Sequence, residues 1–150
     1  MNVLGQRFEG ARVLDLYAGS GALALETLSR GAARATLVEN ASVALRCIEA
    51  NVAALGCGDR VEIHRGDALA MLAADDRMYD FVLADPPYAS RALMAIARAA
   101  APRLAEHGRL IVEHDRREDA PALVGALVRM DDRRYGDTAV AIYGLAADLR

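Results

Sequence analysis

One stretch limits what this chain can fold into more than any other: Val13-Leu14-Asp15-Leu16-Tyr17-Ala18-Gly19-Ser20-Gly21, followed by Ala22-Leu23-Ala24-Leu25-Glu26. Residues 13–17 have β character and are too apolar for a strand with one wet face. They read as a buried strand of the parallel type. The small residues 18–21 permit a tight turn and leave room for another group to approach the backbone closely. From Ala22 the composition turns helical. Strand, glycine turn and helix in that order present free helix N-terminal N–H groups to whatever lies over the turn.

The same alternation continues along the chain. Strands are expected at Arg12–Ala18, Ala35–Glu39, Val61–Arg65, Tyr79–Ala84 and Arg109–Glu113. Helices are expected at Ala22–Ser29, closed by Gly31; from Ser42, a candidate cap, to a stop at Gly56; and at Ala68–Ala74. Two more are expected at Arg91–Ala105, where Pro102 can break the helix, and at Ala120–Leu127. Met130–Tyr135 and Thr138–Tyr143, joined at Gly136-Asp137, read as a hairpin. Together these predict an α/β fold, Rossmann-like, with a mostly parallel seven-stranded sheet, a C-terminal antiparallel hairpin and helices on both faces. With 150 residues and neither linker nor internal repeat, the chain reads as a single domain, 1–150.

Composition narrows the function. No apolar run approaches the ~20 residues that span a bilayer, and Met1–Arg7 lacks the pattern of a signal peptide, so a cytoplasmic protein with no membrane partner is expected. Cys47 and Cys57 make neither a disulfide framework nor a metal knuckle, and His64, His107 and His114 have no ligand spacing; no metal site is expected. All 18 basic residues are arginine, and the formal net charge is −3, so any contact with nucleic acid must rest on a local patch.

In open α/β sheets ligands lie outside the carboxyl ends of the strands, beside the first strand. That rule selects Asp15 and Ala18, Gly19, Ser20 and Gly21 from the first strand, Glu39 from the second, Asp67 from the third and Asp85 to Tyr88 from the fourth. Tyr17, Asn40 and Ala68, adjoining these, complete the candidate cofactor set together with Asp85. Glu39, 18 residues beyond Gly21, suits a ribose diol, because a carboxylate accepts from two adjacent hydroxyls. Asp67 can contact an adenine amino group, cap the following helix, or do both. Gly19-Ser20-Gly21-Ala22-Leu23-Ala24 also meets the loose dinucleotide pattern, which alone cannot separate a nicotinamide cofactor from S-adenosylmethionine.

Asp85-Pro86-Pro87-Tyr88 separates them. Two prolines fix φ and remove two donors, holding an acidic side chain, free carbonyls and an aromatic ring together. A hydride-transfer enzyme has no evident use for such a set. A transferase acting on a planar exocyclic amine does, because acceptors on both N–H groups favour the pyramidal nitrogen whose lone pair attacks. Asp85 and the carbonyl of Pro86 are the candidate acceptors, Tyr88 the stacking platform, and Pro87 and Tyr88 candidate substrate contacts.

Leu14–Gly21 with Asp85–Tyr88 resembles class I S-adenosylmethionine-dependent methyltransferases acting on amino groups. More narrowly, Asp15–Glu26, Ser29-Arg30-Gly31-Ala32 and Val38-Glu39 resemble the bacterial 16S ribosomal RNA guanine-N2 methyltransferase family, over about Asn2 to Tyr143. The resemblance implies S-adenosylmethionine as cofactor, ribosomal RNA or the small ribosomal subunit as partner, a monomer, and a further N-terminal segment in the family upstream of Asn2. Arg116, Arg117 and Arg134 are the candidate RNA contacts, from His114-Asp115-Arg116-Arg117 and Arg133-Arg134-Tyr135, although neighbouring carboxylates offset their charge. Two alternatives remain open: methylation of a DNA adenine or cytosine amino group, and a non-catalytic, cofactor-binding ribosome-assembly factor.

Overall fold

The computed structural model describes residues 5–87 and 92–149. Eight strands make one sheet: β1 (Arg12–Leu16), β2 (Arg34–Glu39), β3 (Val61–Arg65), β4 (Tyr79–Ala84), β5 (Leu104–Asp115), β6 (Leu123–Val124), β7 (Leu127–Tyr135) and β8 (Thr138–Leu145). Their order is β3-β2-β1-β4-β5-β8-β7-β6. Neighbours from β3 to β5 are parallel, and β5, β8, β7 and β6 pair antiparallel. The helices are α1 (Ala22–Ser29), α2 (Ser42–Leu55), α3 (Ala68–Ala74) and α4 (Leu93–Ala100).

The period-2 alternation of the strands sorts the core into two layers. Leu14, Leu16, Val82, Ala84, Leu110 and Val112 face α3 and α4. Val13, Leu37, Phe81, Leu83 and Ile111 face α1 and α2. Both faces are covered, which is why these strands read as near-continuous apolar runs. Each fully buried Leu contributes about 1.5–3 kcal/mol. Burial of this kind, more than intrinsic propensity, sustains an α1 of only eight residues. At its end Gly31 takes φ +98°, with Gly31 N–H bonded to the Leu28 carbonyl and Ala32 N–H to the Thr27 carbonyl, a Schellman closure.

The structure departs from the sequence expectation in five places. There are eight strands, not seven, because the expected helix at Ala120–Leu127 is instead β6, a turn and the start of β7. Ala120, Val124 and Leu127 carry helical spacing, but Pro121 and Gly125 (φ +55°) interrupt it, and pairing of Leu123–Val124 with Leu127–Val128 buries the same apolar groups. The helix expected at Arg91–Ala105 is described from Leu93 and ends at Ala100, passing into a 3-10 turn at Ala101–Arg103 that contains Pro102. β5 accordingly starts at Leu104, with His107 at φ +61° before Gly108. β1 stops at Leu16, because Tyr17 turns to φ +59°. Ser42 is the first residue of α2 and makes no cap bond; Ala41 holds the N-cap position.

Candidate active site

Asp15 lies between Leu14 and Leu16 and so points toward α1, on the side opposite to them. Its register partner Leu83 pairs in turn with Ile111, and all three face the same way. Two residues beyond Leu83 is Asp85, and two beyond Ile111 is Glu113. Two beyond Leu37 is Glu39. Strand alternation therefore delivers four carboxylates to one side of the sheet at the carboxyl ends of adjacent strands.

Two cavities open there and share Tyr17 as a wall. The first, about 430 Å³, is lined by Asp15, the turn Tyr17–Ser20, Ala22, Leu23 and Glu26 of α1, and Asp85 and Glu113. The second, about 340 Å³, is lined by Tyr17, Val38–Ala41, Gly66–Ala68 and Pro87. A larger hollow of about 550 Å³ lies between α2 and β3, reaching the opposite end of that edge strand at Val61, and has no part of the glycine turn in its lining.

The glycine turn is fixed by backbone geometry. Gly19 and Gly21 take φ +60° and +81°, and Gly21 N–H bonds to the Ala18 carbonyl at 2.9 Å. A Cβ on Gly21 would stand 2.9 Å from Leu37 Cδ2, so only glycine lets α1 sit this close to β2. Tyr17 holds its left-handed conformation without glycine's freedom, a strain of about 1–2 kcal/mol placed at the site itself.

Glu39 binds this turn to the next helix. Oε1 accepts from Gly19 N–H, and Oε2 accepts from Asn40 and Ala41 N–H, all at 2.8 Å. A carboxylate offers about four acceptor positions, so the three backbone bonds leave one for a ligand of the second cavity, which Glu39 lines. A two-handed grip on a ribose diol therefore requires sharing one of the backbone bonds. Asp67 is the N-cap of α3, accepting from Ala70 N–H at 2.9 Å, and also lines the second cavity.

Asp15 is the electrostatic centre. It is 3% exposed, one oxygen accepts the Ala24 N–H of α1, and Oδ2 is buried without a partner. Desolvation, reinforced by Asp85 and Glu39, raises its carboxyl to about 7. Asp85 stands exposed at the first cavity's mouth; partial desolvation and then the hydrogen-bonded Glu113 beside it raise it to about 6. Pro86 is buried and Pro87 exposed, lining the second cavity. Tyr88, expected as stacking platform, lies outside the described residues. Among the described residues no group of three His, Cys, Asp or Glu is placed to hold a metal, and no helix is long and apolar enough to cross a membrane.

The expected arginines gather at the same edge of the sheet but outside both cavity linings. Arg116 N–H bonds to the Asp137 carbonyl and its guanidinium to the Gly136 carbonyl, while Arg134 reaches the Arg116 carbonyl. Arg117 pairs with Asp115 at 2.7 Å yet keeps its side chain 90% exposed. Glu113 is the functional candidate that the sequence reading passed over. Its signal was available: it ends the strand expected at Arg109–Glu113, where the strand-end rule applies as it does to the first four.

A buried carboxylate with an unpartnered oxygen suits a cationic ligand group, and the cavity-lining backbone at Gly19, with open space where a Cβ would stand, suits a close-lying one. Split cavities, one walled by Glu39 and Asp67 and the other by Asp15 and Asp85, match a nucleoside joined to a charged tail. Residues of both kinds fit S-adenosylmethionine, and a doubly wound sheet carrying this site is that of a class I S-adenosylmethionine-dependent methyltransferase. The chain belongs to the family described as Conserved hypothetical protein 95, which it matches over residues 1–144. It is 37% identical over 147 residues to YlbH of Bacillus subtilis (strain 168), named as a proposed rRNA methyltransferase, covering 95% of this chain and 80% of that protein. It is 40% identical over 78 residues to Ribosomal RNA small subunit methyltransferase D of Escherichia coli (strain K12), covering 52% of this chain and 39% of that one. A solved structure of a conserved hypothetical protein from Streptococcus pyogenes superposes with a TM-score of 0.91 at 32% identity, covering 98% and 93% of the two chains.

Proposed function

We propose that this protein transfers a methyl group from S-adenosylmethionine to the exocyclic N2 amino group of a guanine in small-subunit (16S) ribosomal RNA, as a cytoplasmic monomer acting on the RNA or the small ribosomal subunit. The observation that carries the reading is the position of Asp85-Pro86-Pro87: at the carboxyl end of β4, beside β1, with the Asp85 carboxylate at the mouth of the cavity that the glycine turn lines. The E. coli relative's name supports ribosomal RNA of the small subunit as target.

S-adenosylmethionine supplies an electrophilic methyl group on a sulfonium and leaves as a neutral thioether. The chain's own residues do the rest. Asp15 and the turn Ala18–Gly21 hold the charged tail, and Glu39, Asn40, Asp67 and Ala68 hold the nucleoside. Asp85 and the Pro86 carbonyl accept the two N–H groups of the amine, freeing its lone pair for in-line attack. As the N–C bond forms, the nitrogen sheds one proton, for which ionised Asp85 is the nearest acceptor. Positioning of this kind supplies up to about 7–11 kcal/mol of barrier reduction. A guanine in a duplex must be extruded to reach the cavity, so an accessible loop guanine is the cheaper target. Tyr88 stacking on the base and Arg116, Arg117 and Arg134 on phosphates complete the proposal.

The test offers labelled S-adenosylmethionine with small subunits, naked 16S RNA and DNA in parallel, followed by mapping of the modified base. Label at guanine N2 in 16S RNA is expected. Label confined to DNA, to adenine or to ribosomal protein overturns the reading.

A further inference from the structure

The first cavity holds a carboxylate that the mechanism above leaves without a task. Glu113 follows Ile111 in one row of β5, one strand beyond Asp85, and lines the same cavity as Asp15 and Asp85. Ala84 pairs with Val112, the last pair of that ladder, and Asp85 and Glu113 are the residues that follow each of them. Their side chains are hydrogen-bonded to each other. Asp15 lies on the other side of β4, next to the glycine turn, with its own buried and unpartnered Oδ2. The charged tail of the cofactor thus has a nearer carboxylate than Glu113, and Glu113 is left beside the acceptor of the amine.

We propose that Glu113 determines base specificity by accepting the N1–H of guanine while Asp85 accepts the N2–H; this rests on the guanine-N2 reading above. Guanine alone among the four bases places a ring N–H donor next to its exocyclic amine. Adenine and cytosine place a ring nitrogen lone pair there, which would face the Glu113 carboxylate unfavourably. Once the proton they share has left, the two carboxylates side by side present acceptor and acceptor, the complement of the guanine edge. A single carboxylate could bind any exocyclic amine; the second one excludes the wrong ring. This reads the base through its Watson–Crick edge, as enzymes that take a base into a pocket do.

The experiment uses a 16S RNA fragment carrying the mapped guanine and the same fragment with 2-aminopurine in its place. 2-Aminopurine keeps the amine but has an unprotonated N1. Wild-type protein should favour guanine by at least about 30-fold in kcat/KM, a floor well below the ~10⁴–10⁵-fold rejection reached by sites built for an N–H or O–H when they meet an analogue without it. Glu113→Gln and Glu113→Ala should bring that ratio below about fivefold, with dissociation constants for S-adenosylhomocysteine unchanged within about threefold. Binding of the two fragments to the S-adenosylhomocysteine complex gives the same ratio for a variant that turns over slowly. Circular dichroism identifies a variant that fails to fold, and the other then carries the comparison. A ratio that survives both substitutions overturns the proposal. Loss of cofactor affinity with the ratio intact also overturns it and makes Glu113 a cofactor ligand. Failure of the parent reading looks different: wild-type protein then modifies no guanine, before any variant is made.

Discussion

Asp15→Asn tests the energetic bargain at the centre of the site. Burial raises the Asp15 carboxyl from 3.8 to about 7, which at 1.36 kcal/mol per pH unit penalises its ionised form by about 4 kcal/mol. Because the folded-state value lies above the unfolded one, the native protein binds an extra proton between them. Stability from this residue is therefore whole below about pH 4, falls as pH rises, and is lost above about pH 7. Asparagine keeps the shape and an acceptor for Ala24 N–H but cannot ionise. Its amide leaves a buried donor where Oδ2 was, at a pH-independent cost of about 1–3 kcal/mol. Urea unfolding of both proteins from pH 4 to pH 8.5 reads the difference directly. The gap in unfolding free energy should move in favour of the variant by up to about 4 kcal/mol across that range, since carboxylates that do not interact with Asp15 cancel in the comparison. In the same variant, affinity for S-adenosylmethionine should fall, because the cationic group loses its buried counter-charge. A pH-independent gap would refute the burial argument, and full cofactor affinity would remove Asp15 from the tail's binding site.

Other expectations concern residues around it. Asp85→Ala should abolish methyl transfer while cofactor affinity, measured by calorimetry, stays close to wild type; normal turnover with weak binding would contradict its role. Because the amine needs an ionised acceptor and Asp85 is raised to about 6, the methylation rate should decline below about pH 6 and level off above pH 7. Glu39→Gln should lower both cofactor affinity and stability by about 1–2 kcal/mol, since the carboxylate also receives two backbone N–H groups at the α2 entrance and a third from Gly19 in the glycine turn; loss of affinity alone would mean that those bonds are dispensable. Gly21→Ala should cost about 1–3 kcal/mol by overpacking against Leu37, on top of the unfavourable φ, and thermal unfolding would show it.

The parallel half of the fold was legible because its strands bury both faces. Tyr79–Ala84 falls at its expected position for that reason, and the edge strand Val61–Arg65 and the helix Ala68–Ala74 do so between clear turn residues. The segment Ala120–Leu127 misled because Ala120, Val124 and Leu127 satisfy a helical period and a β pairing equally well, and only the waiting edge of β8 and β7 decides between them. At the site, Asp15, Gly19, Gly21, Glu39, Asp67 and Asp85 came from strand ends and turn chemistry, which are local. Glu39's three backbone bonds were hidden, because one crosses to Gly19 twenty residues away. Glu113's strand-end position was legible, but its place beside Asp85 depends on which strand neighbours β4, a property of topology that no window of sequence contains.

The central claim is that Asp85 at the head of β4 presents a guanine amine to S-adenosylmethionine. Its most direct test is nucleoside analysis by mass spectrometry of 16S RNA incubated with the cofactor and either wild-type or Asp85→Ala protein. Wild-type protein should yield N2-methylguanosine and the variant none. A methylated nucleoside of any other kind, or the same yield from both proteins, would contradict it.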